Sequence, residues 1–165
     1  MSRQIEWLQV LDFSFKGVIM RRLVLLIMLF VPLIASAQEE QLRKIYDNYL
    51  QEPGFTTVQL SKEMLKQMGV KGNIETMTAI STEDKDLLVG FCDEVQQFLS
   101  EQQIEMSFVN DGKRVSIHRC EITAKGKRMT RIFIFTRSDS SAIFITLKGM
   151  DIKVENAIEM ITTSK

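Results

Sequence analysis

The spacing of apolar residues divides this chain into helical segments and strands. Residues 39–50 place apolar side chains at helical intervals, and Pro53-Gly54 ends that segment. Residues 55–61 and 74–81 are predicted to be short strands, with a short helix at 62–69 between them.

The clearest helix follows the second strand. Thr82 is expected to cap it, acidic residues occupy its early turns, and one side carries an apolar stripe of Leu88, Phe91, Cys92, Val95, Phe98 and Leu99. Residues 151–161 predict a last helix with Asp151 as its cap.

From Ile104 onward, alternation predicts four strands joined by tight turns at 111–112, 125–126 and 138–141. Because opposite residues share a face, these turns set a register. It pairs Phe108 with Val115, Met106 with Ile117, Ile117 with Ile134, Ile134 with Ile145, and Ile132 with Leu147. The chain is therefore predicted to be an α+β domain of two layers. Its mostly antiparallel sheet ends in a four-stranded meander, and its helices pack on the aliphatic face of Ile104, Met106, Phe108, Val115, Ile117, Ile132, Ile134, Ile143, Ile145 and Leu147.

The opposite face of the meander combines aromatic rings with arginines and with the only histidine of the chain, which the register places opposite Glu105. An exposed apolar patch of this kind marks an interaction site. The predicted partner face consists of Arg131, Phe133, Phe135, Arg137, Phe144 and His118. Alternatively, the N-terminal segment or another subunit covers these rings.

The same face supports an enzymatic alternative, a small exported hydrolase that uses His118 with Ser116 or Cys120. No nucleophile-elbow or cysteine-protease motif accompanies these residues, so we expect no catalytic site. Paired Cys-x-x-Cys motifs, histidine clusters and calcium loops are missing from the sequence, so neither a cofactor nor a metal is predicted. Met64 and Met68 lie one helical turn apart, which suits copper(I), but core packing is the expected role.

The two cysteines would suit a disulfide in an exported protein. The register places Cys92 in the helical core stripe and Cys120 on the other face of the sheet. We therefore predict free thiols.

The N-terminal region carries the pattern of a secretory signal peptide. Arg21-Arg22 precede an apolar run over residues 23–34, and Ala35-Ser36-Ala37 follow it. The run is shorter than the roughly 20 residues that a membrane helix needs. We predict cleavage between Ala37 and Gln38 and a location in the periplasm or outside the cell.

These features divide the chain into a signal peptide over residues 20–37 and one domain over 38–165. Because Met20 directly precedes two arginines, we expect translation to begin there and residues 1–19 to be a misannotated extension. Of 21 basic and 21 acidic side chains, four basic and two acidic ones precede residue 38, which leaves a net charge of about −2. That charge argues against a nucleic-acid partner.

Two passages resemble the domain of unknown function 4252 family. They are "GFTTVQLSKEMLKQMG" at 54–69 and "FITLKGMDIKVENAIEMI" at 144–161. The resemblance implies a small exported protein of Bacteroidota, often encoded beside extracytoplasmic sigma factors, with no established activity and no catalytic residues to carry over. Many relatives have a lipoprotein cysteine, whereas Ala35-Ser36-Ala37-Gln38 here predicts no stable membrane anchor.

The leading hypothesis is an exported, non-enzymatic binding or interaction protein. One version of this hypothesis places the protein in an envelope regulatory system. Its partner is another protein or a second copy of the chain. The hydrolase described above and a purely structural homodimer remain as alternatives.

Overall fold

The computed structural model describes residues 38–70, 72–124 and 126–163. The predicted signal peptide and the extension before it lie outside the described residues. Contacts within Gln41–Lys165 form one compact unit. Residues 38–49 are helical and are called α1. The later elements are β1 (Phe55–Ser61), α2 (Lys62–Gln67), β2 (Ile74–Thr82), α3 (Lys85–Ser100), β3 (Gln103–Asn110), β4 (Lys113–Ala124), β5 (Lys127–Arg137), β6 (Ala142–Gly149) and α4 (Val154–Thr163).

The strands form one six-stranded sheet in the order β1-β2-β6-β5-β4-β3, and each neighbouring pair is antiparallel. Asp111 and Gly112 both have positive φ angles, 49° and 75°, as the predicted hairpin turn between β3 and β4 requires. All five predicted pairings of the meander are confirmed. The sequence therefore predicted both the α+β class and the register of its longest strands.

The helices pack on both faces of the sheet, which differs from the predicted single helical layer. One core cluster joins α1 and α3 to Phe133, Phe135 and Phe144 on what we call the aromatic face. A second cluster joins α2 and α4 to Ile132 and Ile134 on the aliphatic face. Because side chains alternate along β5, these two sets point in opposite directions. The aliphatic face is thus one of two buried faces.

The topology explains why the long helix covers the aromatic face. β2 is second in the sheet and β3 is the far edge strand, so α3 must connect them across β6, β5 and β4. The apolar stripe of α3 faces the sheet, with Phe91, Val95 and Phe98 buried. An amphipathic helix of this kind gains its stability from such burial.

Two predicted helix caps are wrong. Asp84 caps α3, since its Oδ1 accepts a hydrogen bond from the Asp86 amide at 2.9 Å. Thr82 ends β2 instead, and its hydroxyl donates to the Gly54 carbonyl at 2.8 Å. Asp151 has a left-handed φ of 54° and lies three residues before the first residue of α4, so it does not cap that helix.

The N-terminal helix contributes to the cover of the aromatic face. The Tyr49 ring lies 4.6 Å from Phe55 and 5.0 Å from Phe91, measured between ring centroids. Its hydroxyl donates to Glu94 of α3, and the Asn48 amide donates to the same carboxylate at 3.2 Å. The N-terminal segment thus packs on this face beside α3, whose Phe98 ring is the one that meets two of the predicted rings.

The sulfur-containing side chains lie in other places than the sequence predicted. Cys92 and Cys120 both pack in the aromatic-face cluster, so their predicted placement on opposite faces is wrong, although no bond joins them. Met64 and Met68 are 47% and 65% exposed, so core packing is wrong for both. Among the described residues, no group of three His, Cys, Asp or Glu side chains is arranged to hold a metal.

Candidate functional site

The predicted partner face is largely interior. Phe133 is 1% exposed and Phe144 is fully buried, and the Phe98 ring of α3 lies 5.1 Å from the Phe133 ring. Phe135 and Arg131 are buried as well. The expectation of an open surface on these side chains is therefore wrong, because α3 covers them. Of the six residues assigned to that face, only Arg137 is exposed.

A cleft remains where the C-terminal half of α3 lies over β3, β4 and β5. We call it the His118 cleft; its volume is about 260 Å³. Leu99, Ile104 and Phe135 provide apolar walls. The polar groups along it are Gln96, Ser100, Arg114, Ser116, His118 and Arg137. A small concave site with apolar walls and a few placed polar groups is the usual form of a ligand-binding site.

His118 lies at the buried side of this cleft. It is 4% exposed and pairs with Ile104 across the strands, whereas the sequence predicted Glu105. The register shifts between Ile104 and Met106, which makes Glu105 the extra residue of a β-bulge. The residue opposite the histidine is therefore apolar instead of acidic.

The imidazole of His118 has one satisfied nitrogen. The ring is hydrogen-bonded to the backbone carbonyl of Gln102, and Nδ1 has no partner. The donor to that carbonyl is therefore Nε2, which leaves Nδ1 as an unpaired acceptor. Burial lowers the pKa of His118 below 6.5 despite the opposing contact with the carbonyl, so the ring is neutral at pH 7.

Two arginines stand at the other end of the cleft. Arg114 of β4 and Arg137 of β5 are direct cross-strand partners, and both line the cleft. Arg137 donates to Gln96 Oε1 over a long 3.4 Å, and within the described parts of the chain neither arginine has a carboxylate at ion-pair distance. Like charges directly opposite each other in a sheet are unfavourable. This end of the cleft is therefore positively charged.

The arrangement does not assemble the parts that the hydrolase alternative needs. Ser116 and His118 share the cleft, but Nδ1 of His118 has no hydrogen-bond partner, so the serine hydroxyl is not bound to it. Cys120 packs against the aromatic-face core and does not line the cleft. A nucleophile held by its base is the geometric sign of this chemistry. The hydrolase therefore stays a hypothesis.

The cleft unites part of the predicted site with residues that the sequence reasoning missed. His118, Phe135 and Arg137 belong to it, while Phe133, Phe144 and Arg131 do not. The missed residues are Arg114, Ile104, Gln96, Leu99 and Ser100. A signal for Arg114 existed, because the correctly predicted pairing of Ile117 with Ile134 also places Arg114 opposite Arg137.

Other exposed apolar side chains lie on the edge strand β3. Ile104, Met106 and Val109 are 63%, 41% and 70% exposed. An edge strand with exposed apolar side chains offers unpaired backbone groups to other chains. Binding to a protein partner or to a second copy of the chain therefore stays a prediction. The buried aromatic face is no longer the surface assigned to that binding.

Comparisons with known proteins do not assign this chain to a family. No family model matches the chain, and no curated protein matches it. One similar solved structure is that of a protein of unknown function, PA94 from Pseudomonas aeruginosa, with 12% identity and a TM-score of 0.39 over 70% of this chain and 83% of that one. The resemblance to the domain of unknown function 4252 family therefore stays an expectation. Among the described helices, none has the length and apolar character of a membrane span.

Proposed function

We propose that this chain is an exported, non-enzymatic protein that binds a small ligand in the His118 cleft. The observation that carries the proposal is the cleft itself, a concavity with apolar walls and a few placed polar groups, which is the usual form of a ligand-binding site. At about 260 Å³ the cleft is below the usual range for drug-sized ligands, which favours a small one.

Binding is tested by titrating the purified protein with 3-phenylpropionate and with its uncharged amide, followed by backbone NMR shifts. We expect at least one probe to saturate, with the largest shifts in residues 96–104 and 114–118. Ser116→Phe fills the cleft and should abolish those shifts. Thr123→Phe adds the same ring to an exposed position on the other face of β4 and should not. No saturable binding of either probe, or unchanged binding to Ser116→Phe, refutes the proposal.

The exported location rests on the charge, length and small-residue pattern of residues 20–37. Intact-mass measurement of the protein recovered from the periplasm or the medium should give a chain that begins at Gln38. Replacing Ala35 and Ala37 by Phe should leave the precursor uncleaved. A full-length chain retained in the cytoplasm contradicts export.

The enzymatic alternative makes a separate prediction. If the protein hydrolyses esters or amides, His118→Ala should abolish turnover of at least one member of a substrate panel. We expect wild type and His118→Ala to be equally inactive. Turnover that depends on His118 contradicts the non-enzymatic proposal and supports the hydrolase.

A further inference from the structure

The two ends of the His118 cleft differ in charge, and this difference limits the chemical class of ligand that fits it. Arg114 and Arg137 lie at one end, and neutral His118 lies at the other among apolar side chains. β4 rises about 3.3 Å per residue, which places the Cα atoms of Arg114 and His118 roughly 13 Å apart. A ligand that spans the cleft therefore meets a cationic group and an apolar wall in different places.

Within the residues that the structure describes, no carboxylate forms an ion pair with Arg114 or Arg137, although their geometry favours one. Side chains directly opposite in an antiparallel pair have Cβ atoms about 5 Å apart, so the two guanidinium groups can approach one bound group together. Each guanidinium presents a planar fork that matches the oxygens of a carboxylate or a phosphate. The acidic residue of β4, Glu121, lies seven residues from Arg114 on the other face of the strand, where Arg119 at 2.8 Å and Arg128 at 3.3 Å hold it. It is therefore occupied elsewhere.

We infer that the ligand of the His118 cleft is a small amphipathic anion whose head group binds between Arg114 and Arg137 and whose apolar body lies against Leu99, Ile104 and Phe135. This inference rests on the proposed function and adds the ligand class and its orientation. The reverse orientation is unfavourable, because it places an anion beside the unpaired lone pair of His118 Nδ1. An anionic head also relieves the repulsion between the two arginines.

The inference is tested with the same two probes, 3-phenylpropionate and 3-phenylpropionamide, which differ in charge and little in shape. We expect the acid to bind at least about 10-fold more tightly than the amide, as charge-assisted hydrogen bonds imply. Arg137→Gln and Arg114→Gln should each remove most of that preference, because they weaken binding of the acid far more than binding of the amide. Arg128→Gln is the matched control, since Arg128 is exposed and lies outside the cleft. It should change neither affinity.

The outcomes separate the inference from the function on which it rests. Equal affinity for acid and amide overturns the anionic ligand, and an acid preference that survives both arginine substitutions overturns the arginine head-group site. Either result leaves cleft binding in place. Failure of both probes to bind overturns both. A third probe, 3-phenylpropyl phosphate, distinguishes the head groups: tighter binding than the acid assigns the site to phosphate monoesters, and weaker binding assigns it to carboxylates.

Discussion

Replacing Phe144 by Ala distinguishes a covered aromatic face from an open one. Phe144 is fully buried, and its ring centroid lies 6.0 Å from that of Phe133 and 6.2 Å from that of Phe98. Truncating a phenylalanine in such a site costs about 3–5 kcal/mol in transfer and cavity terms. A domain of this size has a free energy of unfolding of about 5–15 kcal/mol, so the variant should lose a large share of its stability. On an open surface the same change would alter stability by about 0.5 kcal/mol or less.

The assay is urea denaturation followed by circular dichroism, with size-exclusion chromatography of the folded protein. Phe144→Ala should shift the midpoint strongly with little change in the slope. Val109→Ala is the control, since Val109 is 70% exposed and should change stability by about 0.5 kcal/mol or less. A loss below about 1 kcal/mol for Phe144→Ala, together with loss of an oligomer, would contradict burial under α3 and restore the partner face.

Three further predictions follow from single contacts. Gly149→Ala should destabilise the fold by about 1–3 kcal/mol, because a Cβ there would lie 2.0 Å from the backbone oxygen of Asn73; Gly90→Ala, with no atom within 4 Å, should not. Tyr49→Phe should cost about 1 kcal/mol through loss of the hydroxyl's bond to an α3 carboxylate. Since the folded pKa of His118 lies below 6.5, the unfolded chain binds more protons beneath that pH. The free energy of unfolding should therefore fall as pH drops below 6.5. His118→Gln should reduce this dependence on pH between 6.5 and 4.5, above the range in which the carboxylates titrate.

The sequence predicted the strands well because turn chemistry and alternation act locally. The turn at Asp111-Gly112 fixes the β3–β4 hairpin, the turns predicted at 125–126 and 138–141 fix the next two, and the five predicted pairings follow from period-two alternation. The faces were harder to assign. Both faces of β5 are apolar, with Ile132 and Ile134 on one side and Phe133 and Phe135 on the other, so alternation alone does not show which one a helix covers. That depends on where α3 must cross the sheet, which is a property of strand order.

The site was only partly predictable for a related reason. His118, Phe135 and Arg137 were identified from the chemistry of their side chains. Leu99 and Ser100 could not be assigned to the site without knowing that the end of α3 lies over β4. The spacing of apolar residues shows which side chains share the apolar stripe of a helix, but not which strand each of them contacts.

One local irregularity connects the fold to the charge of the cleft. In the regular register Glu105 would face His118, and its carboxylate would raise the pKa of the imidazole and attract the nearby arginines. The bulge turns Ile104 toward the cleft instead, and Glu105 lies within electrostatic range of Arg119 on the aliphatic side. Bulges commonly redirect a side chain next to a binding site. Here the bulge keeps the Glu105 carboxylate out of the cleft, so Arg114 and Arg137 stay available for an anion that comes from outside.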